Sequence, residues 1–124
     1  MFVLGKYGAG LAACALASLA VGSLVAPSPL AAQYGLPLSD DTSVAYVRAV
    51  GMRDLALAGL IFALLRRDDD RALEAVLAAC AFVGACDFAI VLRGRGKGAG
   101  TSLAIHGAGT AGLIAISGLV RRSR

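Results

Sequence analysis

Tryptophan is absent from this chain, histidine occurs once, and charged side chains make up only 16% of its 124 residues. Soluble domains carry about a quarter charged residues, so this shortage argues against a surface built for water. The charges are also clustered, which leaves long stretches with almost none. The basic excess, a formal net charge of +4, comes largely from arginines in the connections and at the C-terminus. No aromatic side chains interleave with them as a single-strand-binding surface requires, so nucleic acid is not an expected partner. Cysteine is scarce and unpaired: Cys14, Cys80 and Cys86 form neither a disulfide framework nor a zinc spacing. Cys80 and Cys86 fall about 9 Å apart along a helix axis, too far for a bridge within one helix. All three are expected as small buried hydrophobes.

What is present is apolar. Hydrophobic residues make up 58% of the chain and the mean hydropathy is +0.77. A hydrocarbon core about 30 Å thick needs about 20 apolar residues in a helix. Four stretches meet that length, residues 7–26, 44–65, 72–92 and 101–120. The expected fold is therefore all-α, a four-transmembrane-helix bundle forming one domain over residues 1–124. Pro27 and Pro29 end the first helix, because proline lacks the amide proton and clashes with the preceding turn. Asp40, Asp41, Thr42 and Ser43 offer capping oxygens to the second. Arg66 and Arg67 at its C-terminus, and Asp68 to Asp70 at the start of the third, suit the helix dipole. Thr101 and Ser102 are candidate caps for the fourth. Lys6, the apolar run after it and Ala31-Ala32-Gln33 have the outline of a signal peptide, but the run is long for that role and reads as a span.

With four spans, the N-terminus, the second connection and the C-terminus share one side. That side holds Lys6, Arg66, Arg67, Arg71, Arg121, Arg122 and Arg124, against Arg93, Arg95 and Lys97 on the other. The bias places both termini in the cytoplasm of a multi-pass protein of the cell membrane, with the lipid bilayer as its partner.

Two glycine-rich motifs invite a nucleotide reading and do not support it. Gly107 to Gly112 matches GxGxxG, but a dinucleotide fingerprint follows a strand within a βαβ unit, and this one lies inside an apolar helix. Helix packing explains it better: Gly107 with Ala111, and Ala108 with Gly112, would let two backbones approach closely, within the chain or in a homodimer. In Gly94 to Thr101, Lys97 is followed by Gly98, so the phosphate-loop spacing fails. The run Arg66 to Arg71 reads as a solvated turn, since consecutive carboxylates on a helix do not converge on one ion. No metal and no cofactor are implied.

Five ionisable residues remain inside the expected spans: Arg48, Arg53, Asp54, Asp87 and His106. A charge at bilayer depth costs at least about 2.5–3.5 kcal/mol, so such residues face the interior and pair. At 1.5 Å per residue, Arg48 lies about 6 Å deep, Asp87 and His106 about 7.5 Å, and Arg53 and Asp54 about 15 Å, all measured from one side. They form a layer in one half of the membrane. On a helical wheel Arg48, Arg53 and Asp54 spread apart, which puts the second helix at the centre of the bundle, with Gly51, Met52 and Gly59 admitting its neighbours.

Three functions fit this layer. An enzyme would use Asp87 as general acid or base with His106 as its partner. Arg53 and Asp54 would orient the reacting groups, a guanidinium beside a carboxylate keeping it ionised. Arg48 and Met52 would meet a lipophilic small molecule undergoing epoxide opening, isomerisation or cyclisation. Alternatively, Arg53 with Asp87 or Asp54 forms a buried ion pair that only fixes helix register. Proton-coupled transport of a small solute is the third.

The stretch Ala45 to Leu60, AYVRAVGMRDLALAGL, resembles a family of small bacterial and fungal membrane proteins known only as a domain of unknown function, and in outline is similar to DoxX-like four-helix membrane proteins. Arg48, Gly51, Arg53 and Asp54 carry the resemblance, with Asp87 and His106 later; it would cover roughly residues 45–121. It implies the four-helix fold and the same polar residues, and supplies no reaction.

Overall fold

The computed structural model describes residues 2–122, apart from the side chains of residues 2, 96 and 97. It is all-helical among these: α1 Phe2–Val25, α2 Pro27–Tyr34, α3 Asp41–Arg66, α4 Asp70–Arg95 and α5 Gly100–Arg121, with a 3-10 turn at Gly96–Ala99 before α5. The expected bundle of four spans is corrected here. There are five α-helices, and three of them are long and apolar enough to cross a membrane: Val3–Val25, Asp70–Arg95 and Gly100–Arg121, with mean hydropathies of 1.9, 2.3 and 1.7. The second expected span, residues 44–65 within α3, drops out because every stretch of membrane-spanning length there takes in Arg53 and Asp54 together with Arg48 or Arg66, whereas α4 offers one in which Asp87 is the one charge. The side assignment of the termini assumed four crossings and falls with it. Arg124 and the Lys97 side chain, which entered that count, lie outside the described residues.

Proline and glycine explain the helix the sequence reading passed over. Pro27 does interrupt α1, and it also sits in the first turn of α2, where its missing amide proton is no loss. Gly35 ends α2 in the left-handed region, at φ 106°, a conformation that costs an L side chain. Asp40 caps α3, its carboxylate accepting from the Ser43 amide at 2.7 Å. This cap holds the Asp40 carboxyl below its ordinary range. Between α3 and α4 the chain turns through Asp68 at φ 52°, and Asp69 accepts from the Ala72 amide at 3.0 Å. For α5 the expected caps do not form; its N-cap is Ala99.

The long helices pair as α1 with α3 and α4 with α5, and the two pairs meet along α1–α5 and α3–α4. Small residues set the spacing. A Cβ on Gly51 would stand 2.5 Å from the Cβ of Ser23, and one on Gly84 would stand 2.6 Å from the Thr110 hydroxyl. Gly59, Gly109 and Gly112 meet nothing within 4 Å, and Gly107 makes only ordinary contact with Phe88. Within the chain, close approach occurs at Gly51, as expected, and at Gly84, and not along the Gly107–Gly112 run.

Burial runs opposite to that of a water-soluble domain. The core is narrow, built from Ala9, Ala13, Ala58, Ile61, Leu73 and Leu77 with Cys80 and Val120. Leu11, Val25, Phe82 and Ile114 face outward. Apolar surface on this scale is stable against lipid and a liability in water. Together with the three apolar helices it marks a membrane protein. Cys80 is buried as expected, Cys86 partly so, and Cys14 faces out, contrary to expectation.

Candidate functional site

An α-helix leaves its last four carbonyls without partners inside the helix. In α2 these belong to Ala31, Ala32, Gln33 and Tyr34, and each is satisfied. The Gly35 amide donates to Ala31 and Ala32, and the Leu36 amide to Ala31, at 3.1 Å each. Ser102 Oγ donates to the Gln33 carbonyl at 2.8 Å. His106 Nε2 lies 3.0 Å from the Tyr34 carbonyl; since a carbonyl only accepts, that nitrogen carries the proton. Both side-chain donors come from α5, four residues apart and so on one face. The end of α2 is thereby seated against α5.

Its other neighbour is α4. A Cβ on Gly35 would lie 2.8 Å from Val91 Cγ1 and 3.0 Å from Ser102 Cβ, so only glycine fits the gap between the two helices. The Tyr34 phenol then turns to α4 and donates to Asp87 Oδ1 at 2.9 Å. Its ring meets the His106 imidazole edge-on, with centroids 4.5 Å apart and planes at 75°. Burial, and then the hydrogen bond to Asp87, push the Tyr34 phenol above its ordinary range. It stays protonated at physiological pH.

On α3, Arg53 folds back along its own helix. Its Nε and Nη2 both reach Asp54 Oδ1, at 3.1 and 2.9 Å. Asp54 is buried, whereas the Arg53 side chain is 42% exposed. This curl reconciles two neighbours that a helical wheel sends in different directions. Asp54 is close enough to Asp87 for their charges to interact, and Tyr34 feels Arg53, Asp54 and Asp87 together. The site thus joins a phenol, two carboxylates and a guanidinium, with the imidazole behind the phenol.

Several expectations need correction. Asp87 and His106 meet through Tyr34, one by its hydroxyl and the other by its carbonyl, so His106 is not the direct partner of Asp87. Of the two pairings expected for Arg53, the one with Asp54 forms. Arg48 and Met52 are exposed on α3, which packs mainly on α1 and is not central. Two hollows among the described residues lie along α4 and α5, and neither is lined by Arg53, Asp54, Asp87 or His106. Tyr34, the hub, was missed because its segment reads as a connection. Proline opening and glycine closing an eight-residue stretch was the available signal.

No curated protein and no solved structure matches the chain. A family model described as a domain of unknown function, DUF4267, matches residues 13–121, which takes in most of α1 as well as the Arg48–Asp54 stretch. The chain belongs to that family.

Proposed function

We propose that this protein is a single-domain enzyme of the cell membrane, carrying an acid/base site for a lipophilic small molecule. The observation that carries the reading is the Tyr34 hydroxyl held 2.9 Å from Asp87 Oδ1, beside the Arg53–Asp54 pair. Ionisable groups on helices bordering lipid are costly to keep and tend to serve function. Asp87 gives or takes the proton, and Tyr34 stabilises its carboxylate and can pass a proton on. Arg53, anchored by Asp54, offers its exposed edge to an oxygen that gains negative charge, as in epoxide opening, isomerisation or cyclisation. Arg48 and Met52 meet the substrate on the outer side of α3. His106 is a positioning residue, fixing Tyr34 by its carbonyl.

The competing reading is a strut. Every member of the cluster has a partner inside the chain, and Ser102 and His106 are occupied in holding α2. One experiment separates the two. Membranes containing the wild type or Asp87→Asn are given a panel of lipophilic epoxides and unsaturated ketones, and products are read by mass spectrometry. Melting temperatures of both proteins are taken in detergent. The enzyme reading expects turnover by the wild type and a loss of about 10²–10⁴-fold in the variant, with melting little changed. Equal turnover by both, or no turnover by the wild type with a lowered melting temperature in the variant, overturns it in favour of the strut.

A further inference from the structure

The outer seam between α4 and α5 has a polar end and an apolar length. At the end where α4 begins and α5 finishes, a hollow of about 410 Å³ is bordered by Arg71, Glu74 and Arg121. A second, of about 290 Å³, continues along the seam between Ala81, Phe82 and Ala85 of α4 and Ile114 of α5. Ala78 lines both, so the two form one groove. From Arg71 to Ala85 it runs roughly 21 Å along the helix axis. Alanines make its floor and Phe82, 70% exposed, makes one wall. Farther along, Thr110 meets Gly84 and closes the seam.

Both helices are candidate membrane spans, so the groove faces acyl chains along its length and headgroups at its mouth. The mouth carries two guanidinium groups against one carboxylate, with Arg121 Nε 4.0 Å from Glu74 Oε1, and Arg122 follows on the chain. A cationic mouth leading into an apolar channel is complementary to an amphiphile with an anionic head.

We propose that the α4–α5 groove binds an anionic glycerophospholipid, its phosphate between Arg71 and Arg121 and one acyl chain laid along Ala78, Ala81 and Ala85. The ligand is a component of the surrounding leaflet. The site is separate from the Tyr34–Asp87 cluster and does not rest on the enzymatic reading.

The chain has no tryptophan, so Phe82→Trp places a single reporter in the groove, at an outward position that leaves the core untouched. The variant is reconstituted in vesicles of phosphatidylcholine containing a small fraction of bromine-labelled phosphatidylglycerol, or the same fraction of bromine-labelled phosphatidylcholine. Each arginine near a membrane surface is worth roughly a fivefold preference for anionic lipid. Quenching by the brominated anionic lipid should therefore exceed that by the zwitterionic one several-fold, and Arg71→Gln with Arg121→Gln should abolish the difference while helicity is unchanged. Native mass spectrometry of the wild type should retain phosphatidylglycerol through detergent exchange, and the doubly substituted chain should lose it. Equal quenching by the two lipids, or a preference that survives removal of both arginines, overturns the proposal.

Discussion

The two ends of the molecule use similar polar groups in opposite ways. Where α1 begins, Lys6 Nζ reaches Asp68 at 2.6 Å and Asp70 at 3.4 Å, and the Arg121–Glu74 pair lies nearby. Asp68 is 78% exposed in its side chain, so water and salt can take over its share of the contact, whereas Lys6 and Asp70 are 19% and 15% exposed. Where α2 ends, no side-chain bond is as short as the 2.6 Å of Lys6 to Asp68, yet each satisfies an atom that has little else to bind. Length is a poor guide to importance. What matters is what a group would meet if its partner were removed.

The largest effect expected from testing that contrast is at Gly35. Gly35→Ala forces an alanine into the left-handed region, at about 1 kcal/mol or more, and drives its methyl against Val91 and Ser102, at about 1–3 kcal/mol. Thermal unfolding in detergent should show a loss of about 3 kcal/mol; a drop of under 1 kcal/mol would mean that α2 is not wedged between α4 and α5. Next comes Tyr34→Phe, which strips Asp87 of its donor at a cost of about 1–2 kcal/mol. That variant also isolates the phenol in an alkaline titration read at 295 nm. Because the folded Tyr34 phenol titrates above its ordinary value of about 10, its contribution to stability is complete below pH 10 and is lost as pH rises beyond it. The wild-type minus variant difference should show the Tyr34 step displaced upward, and a step at the ordinary position would remove the bond to Asp87. The smallest effect is expected from Asp68→Asn at the wet end, where the substituted side chain is the exposed one. Its melting temperature should barely move and should move less still in high salt, and a large, salt-independent loss would erase the distinction between the ends.

The amino-acid pattern locates the long helices well. Residues 72–92 and 101–120 fall inside Asp70–Arg95 and Gly100–Arg121, because apolar length is the signal that places a helix against lipid. The same signal misjudges α3, where Arg48, Arg53, Asp54 and Arg66 are spread along a helix that otherwise resembles a span. The Arg53–Asp54 pair was foreseeable as one of two pairings but not its shape, since a wheel projects each side chain straight outward and a long guanidinium need not go there. Tyr34 was hidden for a different reason. Its importance comes from a non-local approach, the end of an eight-residue helix inserted between elements 53 and 72 residues away, and no periodicity records such a meeting.

The seating of α2 also bears on how the structure can move. Sliding α5 away from α2 would strip the Gln33 and Tyr34 oxygens of Ser102 and His106 in the same stroke. Because both donors stand on one face of α5, the two bonds are made and lost together. Any motion that admits a guest near Asp87 has to withdraw α2 together with its neighbour or begin from the α3 side.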